Sequence, residues 1–246
     1  MESTPPANPE QFEQQLRQNV VNAIKSFRAR FLEPNEATEH FYFTGEGLYE
    51  DQVKSFFRAS DCPPDEHGQP QKIRCKPVDC KAAVAIVMAK GLIDTLKPGE
   101  FDKLRLHPTN PDRTYDMYMT KRSVTSIDQL KTGDTVYFEN YSSYNNCHND
   151  DFWQGENVIK VGLSEKGEPM FWGFDGPLVN NGSCCIKTYE EWRNLLLVQY
   201  NDDPTNKLKE GCEKITIEDI PFYNPDKHPP MFFDIPSLWQ HGWISP

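Results

Sequence analysis

Between Lys81 and Lys90 the chain passes through eight consecutive apolar residues, Ala82-Ala83-Val84-Ala85-Ile86-Val87-Met88-Ala89. These are good helix formers for the most part, and a helix that is apolar on every side has to be enclosed by the rest of the fold. Pro77 just ahead suits a helix entrance, and Gly91 interrupts the pattern at the far end. The residue that opens the segment is Cys80, preceded by Asp79. A cysteine in a first helical turn sits beside unpaired backbone N–H groups and the positive end of the helix dipole, which favours thiolate over thiol. The same place also suits a small buried cysteine of no chemical consequence. A partner base decides between the two.

The 246 residues are enough to bury a core as one domain with extensions. We divide the chain into a loose tail over 1–8, a helical part over 9–60, a catalytic core over 75–200 and a proline- and aromatic-rich extension over 221–246. Acidic side chains number 37 against 26 basic ones, a net charge of −11, and no run of five Lys or Arg appears. That balance argues against nucleic acid or an anionic membrane as a partner and favours a basic or neutral one. The seven cysteines, at 62, 75, 80, 147, 184, 185 and 212, contain no repeated C-x-x-C unit and signal neither a closed disulfide framework nor a zinc ribbon. Cys184 and Cys185 with Cys147 and Cys212 match no standard zinc spacing. The start, Met1-Glu2-Ser3-Thr4-Pro5-Pro6, has no apolar export segment, and no stretch of 18 apolar residues occurs. The expectation is a soluble monomer, cytoplasmic or secreted without a visible signal peptide, with the cytoplasm slightly favoured.

Phe12, Leu16, Val20, Ile24, Phe27 and Phe31 recur at helical spacing, predicting an amphipathic helix from Pro9 to about residue 31. A weaker helix is expected over 49–59, and the prolines of 61–77 predict a loop leading into the Cys80 helix. A short helix over 101–106 and irregular structure over 107–122 follow. Three strands are then expected, in Leu130–Asn140, Glu156–Gly162 and Glu168–Phe174, forming an antiparallel meander. Thr188 begins a helix through Val198 with acids in its first turn. Lys214 to Ile217 reads as a short strand, and 221–246 as a segment docked across the surface.

Acyl transfer by a cysteine needs a base, oxyanion donors and a group that orients the base. The six histidines, 40, 67, 107, 148, 228 and 241, all fall outside the three strands, His148 beside Cys147 being the best placed. What opens the central strand is Glu156, in Trp153-Gln154-Gly155-Glu156-Asn157-Val158-Ile159. A cysteine at a helix N-terminus packed against strands that carry its base is a papain-like arrangement, with Glu156 where such folds put histidine. A glutamate at a strand end is also a common solvated group.

With Asp79-Cys80 at a helix start, Gly133-Asp134-Thr135-Val136-Tyr137-Phe138 and then the Trp153–Ile159 run, the chain resembles the small bacterial protein-glutamine γ-glutamyltransferases known from Bacillus spores, which are related to NlpC/P60 proteins. Their pattern is an acid-Cys pair, a G-D-x-x-Y-F strand and W-[QR]-G-E-N-V-I, and the likeness covers roughly residues 75–176. Two departures stand out. Asp79 replaces the family's Glu, and Phe171-Trp172-Gly173-Phe174-Asp175-Gly176 lacks the histidine of the family's G-H-G element, leaving Asp175 as a substitute.

The resemblance implies an α+β, papain-like fold and an acyltransferase (EC 2.3.2 class) that cross-links proteins through isopeptide bonds. Cys80 would attack a glutamine carboxamide and release ammonia, and a lysine amine or water would resolve the thioester. Glu156 would be general base and acid, a role that asks for burial. Asp79 would support it, and Trp153, Trp172 and Asn157 would meet substrate. The chemistry requires no metal or cofactor, and the partners are protein substrates with accessible Gln and Lys. A glutamine deamidase, an NlpC/P60-type cysteine peptidase or amidase, and an inactive binding module remain as rivals.

Overall fold

Asn8 starts the first helix by accepting the Gln11 amide through its side chain at 2.9 Å, with Pro9 as the first helical residue. The computed structural model describes residues 8–27, 29–31, 50–57, 76–104, 119–149, 153–174, 184–202 and 207–240. In chain order its elements are α1 (Pro9–Ser26), β1 (Ala29–Phe31), α2 (Glu50–Ser55), β2 (Lys76–Val78), α3 (Cys80–Ile93), β3 (Met119–Lys121), β4 (Thr135–Glu139), α4 (Tyr144–Cys147), β5 (Gly155–Leu163), β6 (Pro169–Phe174), β7 (Cys184–Thr188), α5 (Tyr189–Asp202), β8 (Met231–Phe233) and α6 (Ile235–Gln240). They form two compact units, one of residues 1–120 with 232–246, the other of residues 121–231. The architecture is α+β with an antiparallel sheet, and among the described residues no helix is long and apolar enough to cross a membrane.

In the first unit α1 buries Phe12, Leu16, Val20 and Ile24 against α3, as the helical spacing predicts. α1 stops at Ser26, short of residue 31, because Phe27 turns to extended backbone (ψ 131°) and the chain then enters β1. β1 pairs in parallel with β2, so the stretch expected as loop up to Pro77 ends in a strand instead. α3 buries nine residues around its circumference and continues through Gly91 to Ile93. A side chain at Gly91 would collide with Val20, lying 2.8 Å from its backbone nitrogen. The glycine is the contact point of two helices and not a stop. Asn19 on α1 donates to the Asp94 carbonyl and the Thr95 hydroxyl, both at 3.0 Å, closing the C-terminal end of α3. The C-terminal segment brings α6 onto α1, burying Phe232, Ile235 and Leu238, with the Arg17 guanidinium 3.6 Å over the Phe232 ring.

The second unit carries the meander. β4, β5 and β6 pair antiparallel in succession, and a fourth strand beyond the expected three, β7, pairs with β6. Thr188 and Glu191 cap α5 reciprocally: the Thr188 amide donates to the Glu191 carboxylate at 2.7 Å and the Glu191 amide donates to the Thr188 hydroxyl at 3.3 Å. α5 lies on the sheet through Trp192, whose indole N–H donates to the Phe171 carbonyl at 3.0 Å. The strand expected at Lys214–Ile217 is absent. Thr216 and Asp219 form a capping box there and coil Ile217–Asp219 into a 3-10 turn.

Candidate active site

The reason Cys80 opens α3 lies one residue upstream. Asp79 has extended backbone (φ −80°, ψ 169°), and its side chain accepts the Ala82 amide at 2.6 Å while its carbonyl accepts the Ala83 amide at 2.9 Å. Asp79 is therefore an N-cap and Cys80 the first helical residue, half-exposed at the positive end of the helix dipole. Anion stabilisation at this position is greatest for a group in the first turn.

In the second unit Glu156 is the second residue of β5 and is buried, with 1% of its surface exposed. The solvated strand-end carboxylate is thus not what this chain has. The register pairs Phe138 with Glu156 and Val136 with Val158. Direct partners in an antiparallel pair share a face, and a side chain at Gly173 would meet Val158 at 2.9 Å and Trp192 at 3.0 Å. Glu156 therefore points to the face that α5 covers. Asn157, half-buried, pairs with Tyr137, and Trp172 pairs with Ile159, which places both on the opposite face. Trp153 and Trp172 are each buried.

Residues outside the motif hold this strand in place. Asn140, fully buried, donates through its side-chain amide to the Trp153 carbonyl at 2.8 Å and the Leu196 carbonyl at 3.1 Å. Its backbone N–H donates to the Gln154 carbonyl at 2.8 Å. Gly155 has no room for a side chain, since one would collide with the Phe138 carbonyl oxygen and stand 2.5 Å from the Tyr137 ring. The Gly133-Asp134 pair also has a structural task. Gly133 takes φ +88°, and Asp134, fully buried, is held by the Arg122 guanidinium and by the Lys131 amide at 2.8 Å. Beside it Lys160 is buried and donates to the Leu130 carbonyl at 2.7 Å. Burial pushes its ammonium down from the ordinary lysine range, with Asp134 pulling the other way.

His148, the best placed histidine by sequence, is a buried core ring stacked on Tyr144 at 4.2 Å and edge-on to Tyr200 at 5.0 Å. Its neighbour Cys147 forms a disulfide with Cys212, 65 residues away in sequence, a pairing that no spacing in the sequence signals. Among the described residues no group of three or more His, Cys, Asp or Glu is placed to hold a metal ion. Asp175 lies outside the described residues.

Asp79 and Cys80 belong to the first unit, and Trp153, Glu156, Asn157 and Trp172 to the second. With these placements known, comparison with other proteins gives two results. Residues 7–193 match the sequence model of the family described as protein-glutamine gamma-glutamyltransferase. Among solved structures the chain is similar to a transglutaminase from Geobacillus stearothermophilus lacking its C-terminal extension, with a TM-score of 0.51, 17% identity, and 96% of this chain and 98% of that one covered. A search of curated proteins finds no match. The structural likeness fixes the papain-like fold of a bacterial transglutaminase, and the family match covers well over half of the sequence: the chain belongs to the protein-glutamine gamma-glutamyltransferase family.

Proposed function

We propose that in this transglutaminase Cys80 is the nucleophile and Glu156 its acid–base partner. The Cys80 thiolate attacks the carbonyl carbon of a glutamine carboxamide. The C–N bond then breaks, the nitrogen takes a proton from the Glu156 carboxyl and leaves as ammonia, and a γ-glutamyl thioester remains on Cys80. In the second half a lysine amine gives a proton to Glu156 and attacks the thioester. An isopeptide bond forms, and the thiolate is regenerated. Backbone N–H groups in the first turn of α3 serve the oxyanion, and Asp79 serves chiefly by holding that turn open. Trp153, buried three residues before Glu156, is assigned to substrate contact. Trp172 and Asn157, assigned to substrate contact as well, lie on the face of the sheet opposite Glu156 by register.

The observation that carries this reading is the burial of Glu156 at the head of β5, inside a run that matches the family's pattern. A general acid–base group works from a fixed position in the fold, and a buried side chain on a strand has one. The lack of a histidine on β6 leaves Glu156 as the described acid–base group of the motif. The test is product mass. Wild-type protein incubated with a glutamine-containing peptide and a primary amine is expected to yield a peptide heavier by the amine less ammonia, and Cys80→Ala to yield none. Conversion of glutamine to glutamate with no amine adduct would make the protein a deamidase. Adduct formation by Cys80→Ala would end the reading.

A further inference from the structure

The register that turns Glu156 toward α5 turns Tyr137 and Glu139 to the other face of the sheet. There they line a pocket of about 170 Å³ with Tyr141, Gln154, Lys227 and His228 among its other walls. That volume holds a handful of non-hydrogen atoms, the end of a side chain and not a polypeptide.

Glu139 is the acidic group among the lining residues. Its backbone is pinned on both sides, to Gly155 of β5 and to Phe222, which has a positive φ of 58° and precedes the segment that supplies Lys227 and His228. One Glu139 carboxylate oxygen holds the Lys227 ammonium. The other is 3.6 Å from His228 Nε2, a buried nitrogen with no hydrogen-bond partner among the described residues. The His228 ring leans on Tyr137 with centroids 4.8 Å apart. Burial pushes its imidazole below the usual histidine range, so it is neutral at pH 7 and has a lone pair or an N–H to offer.

At neutral pH the pocket thus presents one carboxylate, phenol rings and amide oxygens. The cation already there, Lys227, is tethered by a side chain that is 57% exposed at the rim. A carboxylate among aromatic faces is a receptor for an alkylammonium: the charge pairs with the carboxylate, the N–H groups find acceptors and the methylenes lie on the rings. Lys227 is itself an alkylammonium and shows what the pocket accepts. The net charge of −11 also favours basic partners.

We propose that this pocket is a recognition site for a primary ammonium, the side chain of a substrate lysine other than the one that reacts, and that Lys227 fills it when no substrate is bound. The reacting amine is excluded because the pocket faces away from Glu156. That the occupant belongs to a substrate rests on the transferase reading. That the pocket binds an ammonium does not.

The ammonium site is tested on the full chain carrying Cys80→Ala, titrated with n-butylammonium and, separately, with 1-butanol of the same shape, by amide-resolved NMR. Butylammonium is expected to shift residues around Glu139 and 1-butanol not to. Adding Lys227→Ala removes the internal competitor and should tighten binding at least threefold, whereas Glu139→Gln should weaken it about tenfold or more. Equal affinity with and without Lys227, or no butylammonium binding to Lys227→Ala, overturns the site even if Glu139→Gln fails to fold. Its substrate role is read with wild-type protein on two glutamine peptides, one bearing a second lysine and one norleucine in its place. A lower KM for the lysine peptide that vanishes in Glu139→Gln supports the role. An equal KM overturns it, while failure to release ammonia from either peptide strikes the transferase reading and leaves the titration standing.

Discussion

Asp79 Oδ1 accepts the Ala82 amide at 2.6 Å, which makes the carboxylate next to Cys80 the cap of the helix that Cys80 begins. Replacement by alanine removes the acceptor and should lower stability by about 1 kcal/mol, with asparagine or serine recovering most of it. If capping is the whole of its task, Asp79→Asn keeps amine incorporation within a few-fold of wild type. A large loss of rate in a fully folded Asp79→Asn would assign the charge a chemical part.

Gly155 of β5 sits against β4, where an added Cβ would meet the Phe138 carbonyl oxygen and the Tyr137 ring. Adding one methyl forces the two strands apart beside Glu156. Gly155→Ala is expected to cost about 1–3 kcal/mol and to reduce turnover by more than the loss of folded protein explains. Denaturant unfolding and rate measurement on the same sample separate the two.

The Cys147–Cys212 disulfide closes a loop with a sequence separation of 65 residues. On the chain-entropy account a loop of that length contributes about 4 kcal/mol. Cys147→Ser with Cys212→Ser should lower the melting temperature, as checked by thermal unfolding beside the wild type.

His228 has its imidazole held below the ordinary value of 6.5 first by burial, with Glu139 opposing and Lys227 adding to the shift. The unfolded chain therefore takes up this proton at higher pH than the folded one. The stabilising contribution is whole above 6.5 and is lost as pH falls through the folded value. Melting temperatures across this range should drop on acidification in wild type and drop less in His228→Gln.

Periodicity carried the parts of the fold that are set locally. The stripe Phe12–Ile24 and the apolar run after Cys80 identify α1 and α3, and the Thr188-x-x-Glu191 box identifies the start of α5. What the sequence could not convey depends on distant neighbours. Gly91 looks like a helix stop until Val20 is seen against it. Cys147 and Cys212 have no spacing that pairs them, and β7 is five residues whose strand character comes from lying beside β6. For the site, the motif indicated which residues matter but not which way they face. Alternation along β5 separates Glu156 from Asn157, a distinction only the register with β4 makes. His228 and Glu139 lie 89 positions apart and share no motif, so their meeting in one pocket was invisible beforehand.

The central claim is that Glu156 handles the protons for Cys80. The most direct measurement is the initial rate of fluorescent-amine incorporation into a glutamine-containing protein by wild type, Cys80→Ala and Glu156→Gln, each confirmed folded. The account predicts no incorporation by Cys80→Ala and a fall of about a hundredfold or more for Glu156→Gln, the usual worth of a general acid–base group. A Glu156→Gln rate within a few-fold of wild type would contradict it.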